Sequence, residues 1–125
     1  MISDKIFLWM NHSKVKKLVM RHLKFKGVHV QPIEHLGNRG VPDLNCCYRN
    51  QEFWIEIKVK PDKLSDLQRA WIHQRRSVGG RCYVLYVDNT KLVAFWDWWK
   101  DTQYENLLDA CTALIERIDN EQTNR

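Results

Sequence analysis

Gly40-Val41-Pro42-Asp43-Leu44-Asn45-Cys46-Cys47-Tyr48-Arg49-Asn50-Gln51-Glu52-Phe53-Trp54-Ile55-Glu56-Ile57-Lys58-Val59 is the stretch on which the fold turns. Two runs rich in β-branched, aromatic and cysteine residues, Val41 to Tyr48 and Glu52 to Val59, flank the polar pair Arg49-Asn50, which marks a β-hairpin. Symmetry about that pair sets Asp43 directly opposite Glu56, their side chains starting ~5 Å apart on one face. Along the second strand Phe53, Ile55, Ile57 and Val59 point one way and Glu52, Trp54, Glu56 and Lys58 the other, so Lys58 joins the two acids. Facing carboxylates repel unless positive charge sits between them. A hard divalent cation fits: Mg2+ is typically held by one or two carboxylates, waters and phosphate oxygens, and a neighbouring lysine can orient a water or stabilise phosphate charge. The plainer alternative is a surface hairpin with cross-strand ion pairs.

Downstream, Lys60-Pro61-Asp62-Lys63 reads as a turn, because proline stops the strand. A helix is expected from Ser65 to Val78, with Leu64, Leu67, Trp71, Ile72 and Val78 as its apolar positions and Gly79-Gly80 as its stop. Ser65-Asp66-Leu67-Gln68 matches a capping box, in which Gln68 folds back on the Ser65 amide. His73, Arg75 and Arg76 read as an exposed basic patch. Arg81 to Val87 and Lys91 to Trp96 are strands joined at Asp88-Asn89-Thr90. The cluster Phe95, Trp96, Trp98 and Trp99 could stack on bases, or belong to the core or an interface. A third helix from Thr102 carries Tyr104, Leu107, Leu108, Cys111, Ile115 and Ile118 on one stripe, covering the sheet or a second subunit, before a polar tail from Asn120.

Upstream, Ser13 is a candidate N-cap for a helix to Lys26 whose face Val15, Leu18, Val19, His22 and Leu23 turns inward. Its other face carries Lys14, Lys16, Lys17, Arg21, Lys24 and Lys26 with no acid among them, either solvated or in contact with phosphates. Val28 to Leu36 reads as a strand that Pro32 confines to an edge or a bulge. Gly37-Asn38-Arg39-Gly40 is a basic loop in which Arg39 and backbone amides could meet a phosphate, though a loop needs no such purpose. The apolar cluster Ile6 to Met10 reads as a short helix, too short to span a membrane and unlike a signal peptide.

The chain has 125 residues, enough for one domain with its own core. Twenty basic against fifteen acidic residues leave +5, a balance suited to an anionic partner such as nucleic acid. Cysteines 46, 47, 82 and 111 lack C-x-x-C spacing, so neither zinc nor a disulfide framework is indicated. Buried free thiols in a reducing, intracellular compartment are expected. The order helix, three strands, helix, two strands, helix predicts a single α/β domain over 1–125, with its core about 13–97 and a C-terminal helix about 102–119.

The ordered set Gly40-Val41-Pro42-Asp43, Glu56-Ile57-Lys58 and Leu64-Ser65-Asp66-Leu67-Gln68 followed by Trp71 resembles the VRR-NUC branch of the PD-(D/E)XK nucleases, over roughly Lys14 to Val87. The resemblance implies a restriction-endonuclease-like core with a mixed central β-sheet flanked by α-helices. It implies Mg2+, with Mn2+ able to substitute, on Asp43, Glu56 and the Ile57 carbonyl. Lys58 would assist the attacking water, Gln68 would support the site, and hydrolysis of DNA phosphodiesters would leave a 5′-phosphate. Small phage-borne members of this kind pair into dimers on four-way junctions, so branched DNA, a homodimer and a bacterial or phage-infected cell are expected by the same resemblance. A nickase or flap nuclease with the same site, and a non-catalytic DNA-binding module, are the alternatives. One departure stands out: relatives carry a glutamate on the first helix, and the helix expected from Ser13 to Lys26 has no acid. Asp4 or Glu34 would have to replace it, or the site manages without.

Overall fold

The computed structural model describes residues 11–34 and 40–123. Among them the elements run α1 (His12–Phe25), β1 (His29–Pro32), β2 (Leu44–Tyr48), β3 (Gln51–Val59), α2 (Asp66–Ser77), β4 (Cys82–Asp88), β5 (Val93–Trp96) and α3 (Leu107–Thr123). The five strands form one sheet in sequence order. All neighbours are antiparallel except β3 and β4, which run parallel with α2 as the crossover. This is the expected mixed α/β sheet.

The hairpin has the register read from its turn: Leu44 pairs with Ile55 and Tyr48 with Gln51. Arg49 and Asn50 adopt φ of 50° and 66°, the left-handed pair that a tight two-residue hairpin turn needs. One sheet face, with Phe53, Ile55, Ile57, Tyr83, Leu85 and Val87, packs on Val15, Val19 and Leu23 of α1 and on Leu107, Leu114 and Ile118 of α3. The other face carries a much smaller cluster, Ile72, Cys82 and Val84, flanked by Trp54, Leu64, Trp71 and Tyr86. That thinly covered face is where Glu56 and Lys58 lie.

Several boundaries differ from expectation, each for a local reason. Asn11 rather than Ser13 caps α1, its Oδ1 accepting the Lys14 N–H at 2.9 Å. β1 is shorter than Val28 to Leu36 but is indeed an edge strand, as Pro32 requires. In α2, Leu67 and Val78 are 59% and 78% exposed, while Gln68 and Ile72, one turn apart, face the sheet. α3 begins at Leu107 and not Thr102, because Tyr104 bridges Ala94 by two backbone bonds of 2.8 Å and Asn106 Oδ1 accepts the Asp109 N–H. It continues to Thr123 rather than fraying from Asn120, with Arg117 and Glu121 paired at 2.8 Å one turn apart.

The α3 stripe is consumed by the protein's own core: Leu107, Cys111, Ile115 and Ile118 are buried, whereas Leu108 faces out. Trp96 is also core, its Nε1 donating to the Ala110 carbonyl at 2.9 Å. Trp98 and Trp99 pack against the guanidinium groups of Arg76 and Arg117, Trp98 staying 40% exposed, while Phe95 stacks on Tyr86. Arg76 is no solvated charge: it holds the Cys82 carbonyl and, at 2.7 Å, Asp97 Oδ2. Cys46, Cys82 and Cys111 are buried and Cys47 is exposed, and none of the four is in a disulfide. Asp4, the Ile6 to Met10 cluster, Leu36 and Gly37-Asn38-Arg39 lie outside the described residues. No described helix is long and apolar enough to cross a membrane.

Candidate active site

Asp43 ends the loop before β2, and Glu56 sits on β3 opposite it in the continued hairpin register. The two acids interlock through backbone amides. The Asp43 N–H donates to Glu56 Oε1 at 3.1 Å, and the Ile57 N–H donates to Asp43 Oδ2 at 2.9 Å. The Asp43 side chain thus stands where a strand partner would be. A strand residue's N–H and C=O leave on the same side, so the Ile57 carbonyl also points toward Asp43.

The second Glu56 oxygen is equally engaged. Gln68 Nε2 donates to Oε2 at 2.9 Å, and Lys58 Nζ lies 3.3 Å from the same atom. The capping box and the site contact, read from sequence as competitors for Gln68, are both present: its Oε1 accepts the Ser65 N–H at 2.9 Å while its Nε2 holds Glu56. An amide can do this because oxygen and nitrogen serve separate partners. Gly40 brings the pieces together. At φ of 78° it lies against the Leu67 carbonyl, and a Cβ there would also stand 2.9 Å from the Gln68 nitrogen. The loop leading to Asp43 therefore closes on the first turn of α2 only because residue 40 has no side chain.

The first helix contributes a residue that sequence reading passed over. His12, in the first turn of α1, places Nε2 3.1 Å from Asp43 Oδ2. The expected glutamate is absent from this helix, and a histidine reaches the same carboxylate. A signal existed in His12 immediately preceding the apolar face, but a helix start placed at Ser13 left it outside. Glu34 is exposed.

The charges are arranged asymmetrically. Burial, reinforced by the nearby Asp43 charge and only partly offset by Lys58, pushes Glu56 up to about 7. Burial also opposes ionisation of Asp43, but the His12 contact and the Ile57 amide outweigh it and hold that carboxyl below its usual range. His12 is raised by its hydrogen bond to Asp43 against the opposing effect of burial. A carboxylate kept 2% exposed beside another acid is an arrangement that an added cation would relieve. Two carboxylates and a main-chain carbonyl are hard oxygen donors of the kind Mg2+ accepts with water completing the shell. Among the described residues no group of three or more His, Cys, Asp and Glu could hold a metal ion.

Lys14, Lys17, Arg21 and Lys24 are exposed on α1, which begins at the site with His12. Arg39 is outside the described residues.

A solved structure titled as a VRR_NUC domain superposes with a TM-score of 0.53 at 21% identity, covering 64% of this chain and 87% of its own. A second, Hjc of Archaeoglobus fulgidus, titled a Holliday junction resolvase from an archaeal hyperthermophile, gives a TM-score of 0.47 at 19% identity over 59% of this chain and 66% of its own. No curated protein matches the sequence. The VRR-NUC domain family matches residues 10–89, a span that holds His12, Asp43, Glu56, Lys58 and Gln68 together. The chain belongs to the VRR-NUC domain family.

Proposed function

We propose that this chain is a divalent-metal-dependent DNA endonuclease acting on branched DNA. The observation that carries the reading is the interlocked pair Asp43 and Glu56, with Lys58 and Gln68 both on Glu56 Oε2. A buried acid pair costs folding energy, and such conflicts concentrate where chemistry needs them. Asp43, Glu56 and the Ile57 carbonyl would hold Mg2+, and Mn2+ could replace it. Bound there, the ion supplies Lewis acidity to an attacking water and offsets charge on the scissile phosphate. Lys58 orients that water and stabilises negative charge as it grows on the phosphate oxygens. Gln68 positions Glu56 from the α2 cap, and His12 orients Asp43 in the manner of a supporting shell. The exposed α1 cations would hold neighbouring phosphates, and in-line attack would leave a 5′-phosphate.

Two opposed incisions across a four-way junction need two such sites, which a two-fold homodimer supplies. Its contact surface is not the α3 stripe, which the monomer core occupies. The test is incubation with Mg2+ or Mn2+ and linear, flapped, nicked and four-way DNAs, with light scattering on the same samples. Metal-dependent cutting that prefers branched substrates, by a dimer, is expected. Intact substrates in both metals refute the enzyme reading, and a monomer that remains monomeric on junction DNA refutes the paired one.

A further inference from the structure

The sheet register carries the site's face onward across β4 and β5. Lys58 stands beside Tyr86, and Tyr86 beside Phe95. The two rings are stacked at 5.4 Å between centroids with 22° between planes, and both are partly exposed. They floor a mainly apolar cleft of about 290 Å3 whose rim includes Lys58, Lys60 and Lys63 with Asp62 and Asp88. Lys60 is tied to Asp88 at 3.5 Å and Lys58 lies 3.3 Å from Glu56, which leaves Lys63 as the rim lysine outside both pairs.

We infer that the Tyr86–Phe95 cleft is a nucleotide subsite that takes one unpaired base, with its phosphate against Lys63 and Lys58, next to the bond that is cut. It rests on the nuclease reading for its location and names the substrate that reading leaves broad: DNA with an unpaired nucleotide at the cleavage point. An aromatic floor beside Lys63 matches one base and one phosphate, and stacking accepts any base. A base in duplex DNA cannot reach such a floor without leaving its stack, so single-stranded and branch-point DNA are preferred to continuous duplex. A cross-strand ring pair could serve the sheet alone, but it would not need three lysines around an open apolar cleft.

The test uses the full chain without divalent metal, so that no cleavage competes, and a short single-stranded oligodeoxynucleotide carrying 2-aminopurine. Quenching of the analogue on binding is expected, and Phe95→Leu should lower the ratio of single-strand to duplex affinity by about tenfold. Lys63→Glu, at an exposed position where folding is not at stake, should lower single-strand affinity in the same assay. Unquenched 2-aminopurine, or an affinity ratio unmoved by both substitutions, overturns the subsite. Quenching without cleavage in any metal would keep the subsite and sink the nuclease reading, while branched-DNA cleavage without quenching would do the reverse.

Discussion

The strongest expectation concerns stability without metal as pH rises. Glu56 is 2% exposed and pushed up to about 7 from an ordinary value near 4.5, first by burial and then by Asp43. Between those values the folded chain holds a proton on Glu56 that the unfolded chain has released, so stability falls as pH increases. The contribution is complete below about pH 4.5 and gone above about pH 7, and a gap of that width is worth on the order of 3 kcal/mol. His12, also raised, adds a smaller loss of the same sign, discounted because its ring is 40% exposed. Asp43 is lowered, so its contribution acts in the opposite direction and is lost only as pH falls below the usual carboxylate range. Thermal unfolding of the metal-free protein should therefore drop by roughly 10 °C from pH 5 to pH 7.5. Glu56→Gln should flatten the slope, and saturating Mg2+ should raise the melting temperature most at the higher pH. An equal slope in Glu56→Gln would refute the account of an acid pair held at electrostatic cost.

Lys58→Ala should reduce cleavage about 100-fold or more while DNA affinity changes little, since one lysine is a minor part of the electrostatic footprint but faces the charge that grows during attack. Activity within tenfold of the parent would remove Lys58 from its role. His12→Ala should weaken Mn2+ binding about tenfold by titration calorimetry through loss of Asp43 orientation, and an unchanged isotherm would leave the 3.1 Å contact without consequence. Gly40→Ala should cost about 1–3 kcal/mol through backbone strain and collision with Leu67, and should lower cleavage through Gln68. Gly27→Ala, at φ of 88° with open space around the added carbon, is the control, and an equal loss there would discount the contact with α2. Lys17→Ala with Arg21→Ala should lower the slope of log affinity against log salt by about two, whereas an unaltered slope would return that α1 face to plain solvation.

The hairpin register was legible from sequence because strand alternation has period two and the Arg49-Asn50 turn leaves one symmetric pairing, so Asp43, Glu56 and Lys58 could be set on one face before any coordinates. The mixed α/β order was legible for the same reason: turn residues and apolar periods are local signals. The α2 capping box was local as well. What chain position could not supply was contact between distant segments. His12 meets Asp43 across 31 positions, Gly40 closes on Leu67, and Gln68 spends its two amide atoms on partners from different elements. The fate of apolar surface was equally hidden. A helical stripe shows that something must cover it but not what, and only packing revealed that α3 lies on its own sheet and α1, leaving the Tyr86–Phe95 end of the opposite face open. Hydrophobic burial is non-directional. Sequence therefore names the residues that must leave water, and the tertiary structure decides which neighbours they leave it with.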